Sequence, residues 1–105
     1  MGPLHAAREQ PEELAVVDNA EERRFEAHIG SERVGVIRYD AQPGVITLVH
    51  TEVEPAFEGK GVGSRLIAGA LDDIRRRDLS LVPVCPFVRA YLERHPEYAD
   101  LIAPT

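Results

Sequence analysis

The chain changes its hydrophobic period once, near its middle. Residues 24–29 put Phe25, Ala27 and Ile29 on one side and Arg24, Glu26 and His28 on the other, the period of two that marks a strand with one buried face. Similar patterning over residues 15–17, 34–39 and 45–53 predicts three more strands. Gly30-Ser31-Glu32 and residues 40–44 (DAQPG) separate them with turn-forming residues, so the strands should form an antiparallel meander. After Gly59 the apolar residues recur at three- and four-residue steps. Val62, Leu66, Ile67, Ala70, Leu71 and Ile74 then predict one amphipathic helix ending about Arg77. Residues 81–84 (LVPV) read as a short buried strand, with Pro83 confined to an edge or a bulge because it has no amide hydrogen. Residues 87–94 read as a second helix that Pro96 must interrupt, and residues 97–102 as a last turn.

Strands, helix, strand, helix is the order of an α+β fold: a mixed, mainly antiparallel sheet with one parallel crossover, a glycine loop running into the first helix, and a second, C-terminal helix. At 105 residues, 44% of them apolar, the chain has the size of one domain and can hold a core without metal or disulfide staples. Residues 1–13 lack any period and are expected to be a flexible N-terminal segment, leaving residues 14–105 as the single domain. Cys85 is the only cysteine, and no Cys/His spacing suits zinc, so neither an intramolecular disulfide nor a metal site is expected.

A single cysteine fits a reducing cytoplasm, and no apolar run has the length of a signal peptide core or a membrane span, so the expectation is a soluble, cytoplasmic protein with no membrane partner. The net charge of −6 is uneven, with 5 basic and 11 acidic side chains up to residue 57 and 7 of each beyond it. Basic residues cluster only at Arg75, Arg76 and Arg77, beside Asp72, Asp73 and Asp78, which argues against direct nucleic-acid binding. A monomer or weak homodimer is expected.

The segment Glu58-Gly59-Lys60-Gly61-Val62-Gly63-Ser64 follows a predicted strand and opens the amphipathic helix. Unpaired amide hydrogens at a helix start, with glycines that let the chain approach closely, suit a phosphate; the same glycines also suit a turn that only packs strand on helix. No Lys follows the last glycine, so a Walker loop is absent, and the antiparallel first half argues against a dinucleotide fold. A phosphorylated cofactor of another kind remains.

With Gly61 and Gly63 on its two small positions, the loop resembles the pyrophosphate-binding motif (Gln/Arg)xxGx(Gly/Ala) of the Gcn5-related N-acetyltransferases. Residues 50–53 (HTEV), 58–64 (EGKGVGS), 83–88 (PVCPFV) and 95–98 (HPEY) together resemble a minimal acetyltransferase-like branch of short chains, over residues 25–101. Glu58 departs from the broader motif, which has Gln or Arg there. The resemblance implies acetyl-coenzyme A as cofactor. Gly59, Lys60, Gly61, Val62, Gly63 and Ser64 would meet its pyrophosphate, and Thr51, Glu52 and Val53 its pantetheine arm. Phe87 and Tyr91, four residues apart on one helix face, suit either the core or a wall of the cofactor site, and both join the cofactor-binding candidates.

Acetyl transfer to an amine needs a proton acceptor and a site for developing negative charge. Cys85 stands just before the second helix, where the helix dipole favours an anionic sulfur that can take an acetyl group; the alternative is a small buried hydrophobe. His50 is expected on the face of Ile46, Leu48 and Glu52, as a base or as a packed histidine, with Glu52 and Glu54 as other bases. The activity implied is N-acetylation of a primary amine, on a small molecule or a protein lysine. The alternatives are a non-catalytic coenzyme A-binding module and a structural interaction domain.

Overall fold

The computed structural model describes residues 13–104, so all but Glu13 of the expected N-terminal segment lies outside the described residues. Strands β1 (Leu14–Asn19), β2 (Arg24–Ile29), β3 (Glu32–Gln42) and β4 (Val45–Val53) pair antiparallel in chain order. Helix α1 (Val62–Arg76) then crosses over to β5 (Ser80–Pro83), which lies parallel to β4 at the end of the sheet. Helix α2 (Pro86–Arg94) and a 3-10 segment (Pro96–Leu101) complete the fold. The predicted α+β architecture, mainly antiparallel with one parallel crossover, is the observed one. Pro83, the last residue of β5, sits at the edge the sequence required of it.

The third strand runs past its predicted end. Residues 40–42 pair with residues 45–47, and the connector shrinks to a Pro43-Gly44 turn, the residue pair of a type II turn, with Gly44 at φ 77°. Asp40, Ala41 and Gln42 are exposed, so they lack the alternation that betrays a strand over a core.

Helix α1 lays its apolar stripe, Val62, Leu66, Ile67, Ala70, Leu71 and Ile74, on the sheet face formed by Phe25, Ala27, Ile37, Ile46 and Leu48; all are buried. Each large side chain so buried contributes about 1.5–3 kcal/mol. Helix α2 adds Val88 and Tyr91 to the same core. The C-terminal segment is tied down by polar contacts: the Tyr98 hydroxyl donates to Asp72 Oδ1 (2.7 Å), Arg75 pairs with Asp100 and donates to the Glu97 carbonyl (3.0 Å), and the Ala103 amide donates to the Leu81 carbonyl (2.8 Å). Burial and then the bond to Asp72 push the Tyr98 hydroxyl up to about 12. No helix among the described residues is long and apolar enough to cross a membrane.

Candidate functional site

Strand β4 carries a bulge that decides which side chains face the helices. Leu48 pairs with Tyr39 and His50 with Arg38, so Val49 is an extra residue on β4. Before it, Ile46 and Leu48 point into the core; after it, Thr51 and Val53 take the helix side, while His50 and Glu52 are exposed. The expectation that His50 shares a face with Ile46 and Leu48 is therefore corrected: one inserted residue reverses a period of two. His50 shares its outer face with Glu52, their side chains 3.1 Å apart at Nε2 and Oε2.

The two parallel strands separate just where this bulge lies. Pairing of β4 with β5 covers only residues 45–48 and 80–83. The Leu48 carbonyl then accepts from the amides of both Val84 (3.0 Å) and Cys85 (2.9 Å), and the chain turns away into α2. The Glu54 amide donates to the Val34 carbonyl (2.9 Å), so Glu54 and Glu52 turn their backbone to β3, and alternation turns that of Thr51 and Val53 to the open side. The resulting cleft holds about 570 Å³. Thr51, Glu52, Val53, Gly59, Gly61, Val62, Gly63, Ser64 and Phe87, all singled out in the sequence, line it, together with Phe57 and Glu58. Phe57 was missed, although an aromatic residue just ahead of the glycine loop was the available signal.

The loop works through its backbone. Gly61, the N-cap of α1, has φ 80°, a left-handed conformation that costs a residue with a Cβ, and no side chain caps the helix. The Arg65 amide is the first to bond back, to the Gly61 carbonyl (3.1 Å), which leaves the amides of Val62, Gly63 and Ser64 without an intrahelical partner at the positive end of the helix. At Gly63 the constraint is space, because a Cβ would lie 2.8 Å from the Phe87 ring that closes the cleft from α2. Lys60 does not line the cleft; its Nζ lies 5.9 Å from the centroid of the Phe57 ring. Among the described residues it forms no ion pair with Glu58.

Cys85 is the N-cap residue of α2, as expected, and is 2% exposed. Its Sγ lies 3.3 Å from Thr51 Oγ1, so the thiol sits one layer behind a residue of the cleft wall. Tyr91 separates from Phe87: it is buried, stacks on the His95 ring with centroids 4.0 Å apart, and contributes to the core rather than to the cleft. Burial, with Glu97 and Asp72 nearby, raises its hydroxyl above the ordinary range. A helix turn of four residues does not keep both rings on one surface when Phe87 is at the exposed start and Tyr91 is over the core.

This geometry has counterparts among known proteins. The GCN5-related N-acetyl-transferase family matches residues 24–101. Protein NATD1 of Mus musculus is 27% identical over 103 residues, 94% of either chain, and protein NATD1 of Homo sapiens is 31% identical over 62 residues, 57% of this chain and 55% of that one. A GCN5-like protein of Staphylococcus aureus, solved by NMR, superposes with a TM-score of 0.63 at 22% identity, covering 91% of this chain and 92% of its own. The ribosomal-protein-S18-alanine N-acetyltransferase of Escherichia coli superposes with a TM-score of 0.51 at 18% identity, over 74% of this chain and 46% of the enzyme. Both structures share the fold.

Proposed function

Because this chain belongs to the GCN5-related N-acetyltransferase family, we propose that it moves an acetyl group from acetyl-coenzyme A to a primary amine. The observation that carries the reading is the cleft where β4 and β5 part. It joins a strand edge with free backbone groups to a helix start with three unpartnered amides. The residues present fit the cofactor: amides at positions 62–64 suit a pyrophosphate, and the backbone of Thr51 and Val53 suits the amides of a pantetheine arm. Bound there, the cofactor would supply an activated acetyl thioester.

The chain's own residues then have distinct tasks. Gly59 and Gly61 shape the loop, Gly63 admits the Phe87 ring, and Phe57 and Phe87 wall the cleft against water. Glu52, with His50 beside it, is assigned the proton of the incoming ammonium group, since these are the exposed titratable groups at the end of β4. Cys85 enters through Thr51: its thiol fixes the Thr51 side chain on the cleft wall, and its burial favours direct transfer over a cysteine-bound acetyl. A non-catalytic coenzyme A-binding module is the second reading, favoured by the presence of an acidic residue, Glu58, on the cleft lining.

Intact-protein mass and a thermal melt with acetyl-coenzyme A test both readings. Ligand at about 100 times its dissociation constant adds about 2.7 kcal/mol, on the order of ten degrees for a domain of this size. The expected result is a raised melting temperature, an unchanged mass, and N-acetylated product from an amine panel. A mass gain of one acetyl group that disappears in Cys85→Ala would replace direct transfer by a covalent route. A melt shift with no acetylated amine would favour the binding module, and no shift would sink the cofactor reading.

A further inference from the structure

We propose that a second pocket, on the sheet face opposite α1, binds the acceptor, and that the acceptor is a small amine which also carries a carboxylate; this rests on the acetyltransferase reading above. The sheet is covered on one face only among the described residues. On the other face the ends of β2, β3 and β4 enclose a pocket of about 250 Å³ over Val36, ringed by Arg24, Arg33, Arg38, Glu52 and Glu54. Glu52 and Val53 line both this pocket and the cofactor cleft, so the two openings meet across the end of β4, where one strand separates them. A group held on the outer face is thus next to the cleft without entering through it.

The charges around the pocket are of two kinds. Arg24 is committed: its Nε donates to Glu26 Oε2 (2.7 Å), and Glu26 is buried beneath further bonds from Asn19 and His28. Arg33 and Arg38 make no side-chain hydrogen bond or ion pair with any other described residue, and both are exposed. They come from the two ends of the same short stretch of β3, so two guanidinium groups with all their donors free border one small volume. Guanidinium donors match a carboxylate in shape and charge.

Among the described residues the Glu54 side chain makes no hydrogen bond or ion pair and that of Glu52 bonds only to His50, so the β4 side of the pocket offers carboxylates to an ammonium group. A lining with cations on one strand and anions on the next selects a ligand with the reverse arrangement. The volume suits a small molecule, below the roughly 300–1,000 Å³ of pockets for drug-sized ligands. It also places the ammonium, not the carboxylate, on the wall shared with the cofactor cleft, which is the order that acetylation requires.

The test is an amide-resolved NMR titration of the whole chain with glycine, β-alanine and 4-aminobutyrate, which span three charge separations, each against the alkylamine of equal carbon count. At least one amino acid is expected to shift amides of residues 33–38 and 52–54 at concentrations about tenfold below its alkylamine, and Arg33→Gln and Arg38→Gln are each expected to weaken it about fivefold or more. Both arginines are exposed and unbonded, so unchanged spectra elsewhere will show that the variants fold. In turnover with acetyl-coenzyme A, Arg38→Gln should raise the acceptor KM about tenfold with kcat within about twofold, as loss of uniform binding requires. Equal response to amino acids and alkylamines, or indifference to both arginine substitutions, would overturn the proposal. Coenzyme A added to the same samples reads residues 59–64 separately. Silence there overturns the cofactor reading alone, while a loop response beside a silent pocket overturns the acceptor site alone.

Discussion

Glu58 is the residue where the cleft argues with itself. Its neighbours on the lining offer amide hydrogens and the positive end of a helix, yet Glu58 brings a carboxylate to the same lining and forms no ion pair with Lys60. Two like charges a few ångströms apart at a solvated surface repel by about 1 kcal/mol. Glu58→Gln is therefore expected to tighten acetyl-coenzyme A about fivefold by calorimetry at low salt, with the gain shrinking as salt screens the repulsion. Glu26 shows the opposite case, a carboxylate well provided for. Burial alone would raise it, but bonds from His28, Asn19 and Arg24 outweigh that and hold it down to about 2. A carboxyl depressed on folding adds stability above its unfolded value of 4.5, and that stability fades as pH falls toward 2. Denaturant melts should show wild type losing stability across that window and Glu26→Gln losing about 1–3 kcal/mol already at neutral pH, with a flatter acid limb.

At the scale of elements, the strands and helices were legible because each buries one face, and period carries that information. The bulge at Val49 was not, since one residue of slip leaves the composition of β4 unchanged while it exchanges Thr51 and Val53 for His50 and Glu52 on the helix side. For the same reason Gly61 could be placed by its motif, whereas Tyr91 could not be separated from Phe87 by spacing alone. Helix packing adds a constraint that no motif marks. At Gly69 a Cβ would lie 2.7 Å from Val16 Cβ, so α1 rests directly on β1. Gly69→Ala gains about 1 kcal/mol of helix propensity, but overpacking against a β-branched residue costs about 1–3 kcal/mol. A lower melting temperature is expected, with cofactor affinity within about twofold of wild type. Gly63→Ala sits in the first turn of the same helix and should do the reverse. The Phe87 ring it displaces is the free end of a side chain, so stability should barely change while calorimetry reads about tenfold weaker acetyl-coenzyme A binding.

Across the whole molecule, the cleft and the C-terminal anchor divide between the two ends of α1. Its N-terminal end faces the cleft. Its C-terminal half instead anchors the last segment, through Tyr98 to Asp72 and Arg75 to Glu97 and Asp100, and that segment in turn bonds β5 through Ala103. The anchor closes the fold behind α2 without touching the cleft, so the two functions should separate in a variant. Tyr98→Phe removes one half-buried hydrogen bond, worth about 1 kcal/mol, or about 4–8 °C in a domain this small. Because burial and Asp72 raise the Tyr98 hydroxyl to about 12, its contribution is complete below the unfolded value of 10.0 and is lost as pH rises through about 12. Wild type and Tyr98→Phe should therefore differ by a constant margin from neutral pH to about 10 and converge above it. Arg75→Ala in the same background should cost less than it does alone, since both groups hold one segment. If the acetyl-coenzyme A affinity of Tyr98→Phe also fell by more than about threefold, the anchor and the cleft would be coupled through α1 rather than independent.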